Sequence, residues 1–142
     1  PHFYGCVEDI PAKVKWIKSH MPADKRWITT ENGGPDFRCR TTPLSWKQDL
    51  TKFEQLQAKQ VPARLAACAD NGGSICLWFS LFNARGEVDV FSQLGLIDQS
   101  GLIAKVKERK RTGDQAPQPA EPQSLRRKPA YEAFKSFVAG HR

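Results

Sequence analysis

The sequence predicts an α/β fold with a parallel sheet, and three observations support this class. A short β-branched run at residues 27–30 ends in Glu31, and glycines follow at once, which is typical of a strand that stops at the rim of a site. Residues 75–82 form a second, continuously apolar run. Patterns with helical spacing precede both runs, and such alternation with short connections indicates βα units.

The first helix is predicted to begin at residues 9–11, because Asp caps a helix and Pro is tolerated in the first turn. Apolar residues then recur at helical spacing until Pro22, which ends the helix. The strand that follows carries Glu31 as its last residue. Because side chains alternate along a strand, Trp27, Thr29 and Glu31 are expected on one face.

A loop over residues 35–44 is expected next, with Thr42 or Ser45 as the cap of a second helix that runs to about residue 70. Pro62 lies inside this helical pattern and is expected to kink the helix or to split it in two. The apolar face of the helix is predicted to comprise Leu50, Phe53, Leu56, Leu65 and Ala69.

By composition the chain divides into three parts. Residues 1–101 carry the alternating pattern, and the apolar run at 75–82 predicts a strand that is covered on both faces. Residues 102–127 form a basic insert rich in Pro and Gln, which is too polar to pack and is expected to be a mobile loop. Residues 128–142 are predicted to form a closing helix.

The formal net charge of +7 is concentrated in the insert. Residues 105–128 contain eight basic and three acidic residues, so five of the seven net charges lie there. Nucleic acid is not expected as a partner, because no aromatic residues alternate with these cations to stack on bases. A membrane partner is not expected either, because no apolar stretch approaches the roughly 20 residues of a spanning helix.

The four cysteines form no Cys-x-x-Cys pair and no zinc pattern with histidine, so neither a metal nor another cofactor is expected. Cys68 and Cys76 are interpreted as buried apolar residues. Cys39 lies in a predicted loop and could pair with Cys6 if the protein is secreted. The sequence leaves that pairing, the cellular compartment and the oligomeric state open.

Four segments, taken in order, resemble the clan A glycoside hydrolases, which are retaining enzymes built on a (β/α)8 barrel, here closest to the family 39 and family 5 types. Trp-Ile-Thr-Thr-Glu-Asn-Gly at residues 27–33 is similar to their seventh-strand signature. Residues 1–5 resemble the end of the sixth strand, and residues 75–82 resemble the eighth. Residues 94–98, with 128–134, resemble the ending Gly-Leu-x-Asp … Lys-Pro-Ala-Tyr-x-Ala-Phe.

This resemblance implies a partial (β/α)8 TIM barrel that consists of the C-terminal βα units, because a whole barrel needs roughly 250 residues. It also implies a fragment of a retaining O-glycoside hydrolase that cleaves β-linked oligo- or polysaccharide, with Glu31 as the nucleophile. Such hydrolysis needs a second, acid/base carboxyl roughly 5 Å away. The resemblance places that Glu before Pro1, so the fragment alone is expected to be inactive.

The resemblance also implies substrate-binding roles. Tyr4 is expected to donate a hydrogen bond to the nucleophile, and His2 is expected to contact a sugar hydroxyl. Trp78 is expected to form the floor of the subsite, since sugar rings stack on aromatic planes. Asn83 and Arg85 are expected to bind hydroxyls at the rim.

Each of these roles has a simpler alternative. His2 and Tyr4 could be ordinary residues at a strand end, Trp78 could be a core residue, and Asn83 and Arg85 could simply form a loop. Glu31 itself could be an exposed loop residue or form a structural ion pair with Arg38 or Arg40. For the whole chain, the alternative is a non-catalytic, carbohydrate-binding barrel remnant.

Overall fold

The structure is a computed structural model of the 142-residue chain. It describes residues 1–36, 38–42, 44–84, 91–101, 107–108, 110–111 and 125–141. The helices are α1 (Ile10–Ser19), α2 (Leu50–Asp70) and α3 (Pro129–Gly140), and a 3-10 turn, Val7–Asp9, precedes α1. The strands are β1 (His2–Phe3), β2 (Ile28–Asn32), β3 (Ile75–Trp78), β4 (Ile97–Asp98) and β5 (Arg126–Arg127).

Two separate sheets are present in this part of the chain. Strands β1, β2 and β3 form a parallel sheet in that order, and β4 pairs with β5 in an antiparallel ladder. The predicted partial (β/α)8 TIM barrel is therefore wrong. Three parallel strands are too few to close on themselves, and the chain after β4 returns in the opposite direction instead of adding another parallel strand.

The first half of the fold agrees with the sequence pattern. Helix α1 begins directly after Asp9 with a proline in its first turn, although the Asp9 side chain makes no capping hydrogen bond. Ile10 and Val14 turn inward and pack with Phe3 and Trp27 in one buried cluster. This cluster fixes α1 and the first two strands against each other through burial of apolar area.

Helix α2 begins later than predicted. Asp49 caps it by accepting a hydrogen bond from the Lys52 amide at 2.9 Å, so the expected caps Thr42 and Ser45 are wrong. The helix is continuous through Pro62 and is not split there. Two of the residues assigned to its apolar face, Leu50 and Ala69, are exposed. The buried residues include the polar Glu54, Gln57, Gln60 and Arg64.

Strand β3 was expected to be covered on both faces, and this is wrong. The side chains of Ile75 and Leu77 are 51% and 49% exposed, whereas Cys76 and Trp78 pack against the core. Helices α1 and α2 cover one face of the sheet, and no described element covers the other.

All four cysteines are in disulfides, Cys6–Cys39 and Cys68–Cys76. The interpretation of Cys68 and Cys76 as unpaired apolar residues is therefore wrong, because the end of α2 brings Cys68 beside the start of β3. The alternative pairing of Cys6 with Cys39 is formed. It joins the loop after β1 to the loop after β2.

Most of the predicted basic insert, including its Pro- and Gln-rich centre, lies outside the described residues. Within the described ranges, no helix combines the length and the apolar character needed to cross a membrane. The closing helix is present as α3, which packs against α2.

The two disulfides should contribute differently to stability. The Cys6–Cys39 bond closes a span of 33 residues and the Cys68–Cys76 bond one of 8. Because loop-closure entropy grows with span, replacing Cys6 and Cys39 by Ala should lower the free energy of unfolding by about 4 kcal/mol. The same change at Cys68 and Cys76 should cost about 2.5 kcal/mol. Urea denaturation measures both losses, and four titratable thiols in the untreated protein would contradict the pairing.

Candidate functional site

The candidate site lies at the carboxyl ends of β1 and β2, where the pairing places His2 beside Glu31. The Tyr4 hydroxyl donates a hydrogen bond to Glu31 Oε2 at 2.7 Å, and His2 Nδ1 lies 3.2 Å from the same oxygen. The Glu31 side chain is 33% exposed. Its second oxygen, Oε1, has no hydrogen-bond partner among the described residues and is free to meet a ligand.

An irregularity in β2 determines where Glu31 points. The pairing with β3 shifts between Thr29 and Asn32, and both of these residues are fully buried. Asn32 Nδ2 donates to the Arg64 carbonyl on α2, so Asn32 occupies the side of the sheet that faces the helix. The expectation that Trp27, Thr29 and Glu31 share one face is therefore wrong, because the shift breaks the two-residue alternation.

The electrostatics of Tyr4 favour a neutral donor. Burial raises the pKa of the Tyr4 hydroxyl well above its ordinary value, and the hydrogen bond to Glu31 and the charge of Glu31 raise it further. The hydroxyl therefore keeps its proton throughout the physiological range and donates it to a carboxylate. Glu31 is therefore held by a hydrogen bond from a neutral donor.

Arg64 on α2 holds the backbone at the end of β1 in place. This guanidinium is fully buried, and it donates to the carbonyls of Phe3 and Gly5, which flank Tyr4. It also donates to Gln60 Oε1 at 3.1 Å. Burial lowers the pKa of Arg64 to about 10, so it remains charged at neutral pH.

The glycines after Glu31 are required by close packing. A Cβ on Gly33 would lie 3.2 Å from the Tyr4 ring, and a Cβ on Gly34 would lie 2.5 Å from Arg64 Nε. The glycines therefore let the loop after β2 approach both side chains. The peptide bonds Gly34–Pro35 and Phe79–Ser80 are cis.

Two phenylalanines that were not predicted as site residues surround Tyr4. The Phe91 ring lies 4.7 Å from the Tyr4 ring, and the Phe79 ring lies 6.3 Å from it, edge to face. The two phenylalanine rings also contact each other edge to face, at 6.3 Å. They form an apolar wall beside Tyr4.

The structure does not bring Trp78 to Glu31. Its ring packs against the cluster formed by α2 and α3, and its Nε1 donates to the Leu94 carbonyl at 3.1 Å. Trp78 therefore occupies the place of a core residue, and Phe79, one position later, lies beside Tyr4.

Asn83 is also buried, only 4% exposed, inside a hydrogen-bond network. Its Nδ2 donates to Gln93 Oε1 at 2.6 Å, and its Oδ1 accepts from the buried Lys128 ammonium at 3.4 Å. This placement matches the loop-forming alternative. Arg85, the remaining predicted contact, lies outside the described residues.

Three further acids near the strand ends, within the part of the chain that the structure describes, are occupied by structural bonds. The Asp36 carboxylate accepts hydrogen bonds from the Gly5 amide and from Arg38. Burial alone would raise the pKa of Asp36, but these hydrogen bonds outweigh burial and hold the pKa below its usual range. The Arg126 guanidinium donates hydrogen bonds to both Glu54 and Asp98. The pKa values of Asp36 and Asp98 are lowered, whereas the acid that protonates a leaving group needs a raised one.

The alternative that Glu31 forms a structural ion pair with Arg38 or Arg40 is not observed among the described contacts. Arg38 pairs with Asp36, and the guanidinium of Arg40 lies 3.9 Å from Asp9. Glu31 interacts instead with Tyr4 and His2.

One group of described side chains has ligand atoms close enough together to hold a metal ion: Cys6, Glu8 and Cys39, within 4.8 Å of one another. Two of its three members are bonded to each other as a disulfide. Since metals bind thiolates, this group offers only the Glu8 carboxylate while the disulfide is intact. The described residues of the Glu31 site include no comparable group.

Comparisons of the chain with protein-family models, with curated proteins and with solved structures found no match. Function therefore has to be inferred from the chemistry of the site.

The buried Lys128 generates a testable pH dependence. Burial lowers the pKa of Lys128 to about 8, against about 10.4 for a lysine in the unfolded chain. Between these values the unfolded state binds more protons, so the free energy of unfolding should rise as the pH increases from 8 to 10. We expect a gain of about 2 kcal/mol relative to the Lys128→Met variant, measured by urea denaturation at each pH.

The exposed Lys135 on α3 provides the matched control. Lys135→Met should keep the pH profile of the unmodified protein. Parallel profiles for Lys128→Met and the unmodified protein would show that Lys128 is not the titrating group.

Proposed function

We propose that this chain carries the nucleophile side of a retaining O-glycoside hydrolase that acts on a β-linked oligo- or polysaccharide, with Glu31 as the nucleophile. The observation that carries the proposal is the convergence of Tyr4 and His2 on one oxygen of Glu31, at 2.7 and 3.2 Å. The Tyr4 hydrogen bond orients the carboxylate, and Oε1, which has no partner among the described residues, is available to attack an anomeric carbon. The proposal rests on this site and does not depend on a barrel.

The proposed first step forms a bond between Glu31 Oε1 and the anomeric carbon as the bond to the leaving oxygen breaks. The Tyr4 hydroxyl keeps its proton and its hydrogen bond to Oε2 during the step, because burial and the charge of Glu31 hold the pKa of Tyr4 high. His2, whose side chain is 54% exposed, is placed to contact a sugar hydroxyl as well as Glu31. Phe79 and Phe91 form an apolar wall beside Tyr4, whereas Trp78, the expected floor of the subsite, packs in the core.

A natural glycoside also needs an acid to protonate the leaving oxygen. The described acids near the strand ends are held in structural bonds, which supports the expectation that the 142 residues alone do not turn over ordinary glycosides. The same observation favours the second candidate, a carbohydrate-binding protein that does not cleave.

A substrate that needs no acid separates these two functions. Dinitrophenyl 2-deoxy-2-fluoro-β-glycosides have a leaving group that departs as a stable phenolate, and the fluorine slows hydrolysis of the glycosyl-enzyme. We expect one sugar of a panel of hexosides and pentosides to label the protein covalently. Intact mass spectrometry detects the label, and peptide mapping should locate it on Glu31.

Glu31→Gln should abolish this labelling, and Glu132→Gln on the exposed side of α3 should not change it. Sugar binding without labelling across the panel would favour the non-catalytic candidate. Labelling that persists in Glu31→Gln, or turnover of an unactivated alkyl glycoside by that variant, would exclude Glu31 as the nucleophile.

The role of Tyr4 can be tested with the second tyrosine of the chain as control. Tyr4→Phe removes a hydrogen bond to a charged group, which is worth about 1.5–3 kcal/mol, so the labelling rate should fall about 10- to 100-fold. Tyr131→Phe, on α3, should leave the rate unchanged. Stopped-assay mass spectrometry gives both rates, and an equal effect of the two changes would indicate a loss of general stability instead.

A further inference from the structure

A cavity of about 460 Å³ lies at the end of the parallel sheet opposite to Glu31. It opens where the chain enters β2 and β3, because Trp27 and Ser74, directly before these strands, are part of its wall. Its volume falls within the range of small-molecule sites, roughly 300–1,000 Å³. The Glu31 site does not use it.

Three cations and no acid line this cavity. Lys18 comes from the last turn of α1, and Lys25 and Arg26 come from the segment before β2. The Lys25 ammonium forms an ion pair with the Asp24 carboxylate at 3.2 Å. Lys18 and Arg26 have no ion-pair partner in the part of the chain that the structure describes. The Lys18 ammonium lies 3.2 Å from where a Cβ on Gly72 would sit, so a glycine at that position leaves room for it.

Trp27, which lines the cavity, also carries an unpaired donor. The residue is 6% exposed, and its Nε1 is buried without a hydrogen-bond partner among the described residues. Met21 and Pro22 add apolar surface beside the indole.

We propose that this cavity is a binding site for a phosphate or sulfate ester that carries a small hydrophobic group. The anionic oxygens are bound by Lys18 and Arg26, because charge-assisted hydrogen bonds are the strongest that these side chains can make. The hydrophobic group lies against Met21, Pro22 and the Trp27 ring. This site is independent of the proposed hydrolase function.

The test measures binding of phenyl phosphate to the full chain by calorimetry at low ionic strength. We expect a dissociation constant on the order of 0.1–1 mM, with phenyl sulfate in the same range. Inorganic phosphate and phenol should each bind about tenfold or more weakly, because each lacks one half of the ligand. The indole N–H resonance of Trp27 should shift on titration with phenyl phosphate.

Lys18→Ala and Arg26→Ala should each weaken phenyl phosphate about tenfold or more. Lys15→Ala is the matched control, since Lys15 is exposed on the same helix and does not line the cavity. Glu31→Gln should also leave binding unchanged, which separates this site from the hydrolase proposal.

Three results would overturn the proposal. The first is no binding of phenyl phosphate at about 10 mM, well above the expected range. The second is an equal loss in Lys15→Ala and Lys18→Ala, which would indicate diffuse attraction to a basic protein. The third is inorganic phosphate binding as tightly as phenyl phosphate, which would remove the hydrophobic half of the ligand.

Discussion

The buried guanidinium of Arg64 is the constraint on which the arrangement of the strand ends depends. A charge that is fully removed from water must be satisfied by hydrogen bonds, and Arg64 obtains them from the carbonyls of Phe3 and Gly5 and from Gln60. Tyr4 lies between those two residues in the chain. The hydrogen bonds from Arg64 therefore fix the backbone of Tyr4, and with it the place from which its hydroxyl reaches Glu31. The same guanidinium requires a glycine at position 34.

This constraint also explains which parts of the fold could be read from the sequence. Helix α1 was predictable, because its burial is apolar and periodic. Strand β2 was predictable from its β-branched composition, although its buried residues, Thr29 and Asn32, are polar. The buried side of α2 was not, because Gln57 and Arg64 face the core. Their partners are backbone groups far away along the chain, such as the Leu94 carbonyl that accepts from Gln57 Nε2 at 2.8 Å. Hydrophobic periodicity carries no signal for a polar helix face of this kind.

The site was predictable to a similar extent. The strand-end position predicted Glu31 as a site residue, and the family resemblance added Tyr4 and His2, which the structure brings within hydrogen-bond distance of Glu31. Phe79 was not predicted as a site residue, because the sequence alone did not show which side chains of β3 face the helices. Cys76 is tied to Cys68 on α2, and side chains alternate along a strand, so Trp78 must also face the helices. Recognising that disulfide in the sequence would have assigned Phe79 to the side of Glu31.

The distribution of bonded acids sets the electrostatic character of the Glu31 site. Asp36 and Asp98 are held by arginines and backbone amides, which keep their pKa values low and use their charge to fix loops. Glu31 differs from them because its closest donor, Tyr4, is neutral and is kept neutral by burial and by Glu31 itself. A neutral donor orients a carboxylate without cancelling its charge, whereas an arginine would reduce its attraction for an electrophilic carbon. Because its donor brings no charge of its own, the Tyr4–Glu31 pair fits the role proposed for Glu31.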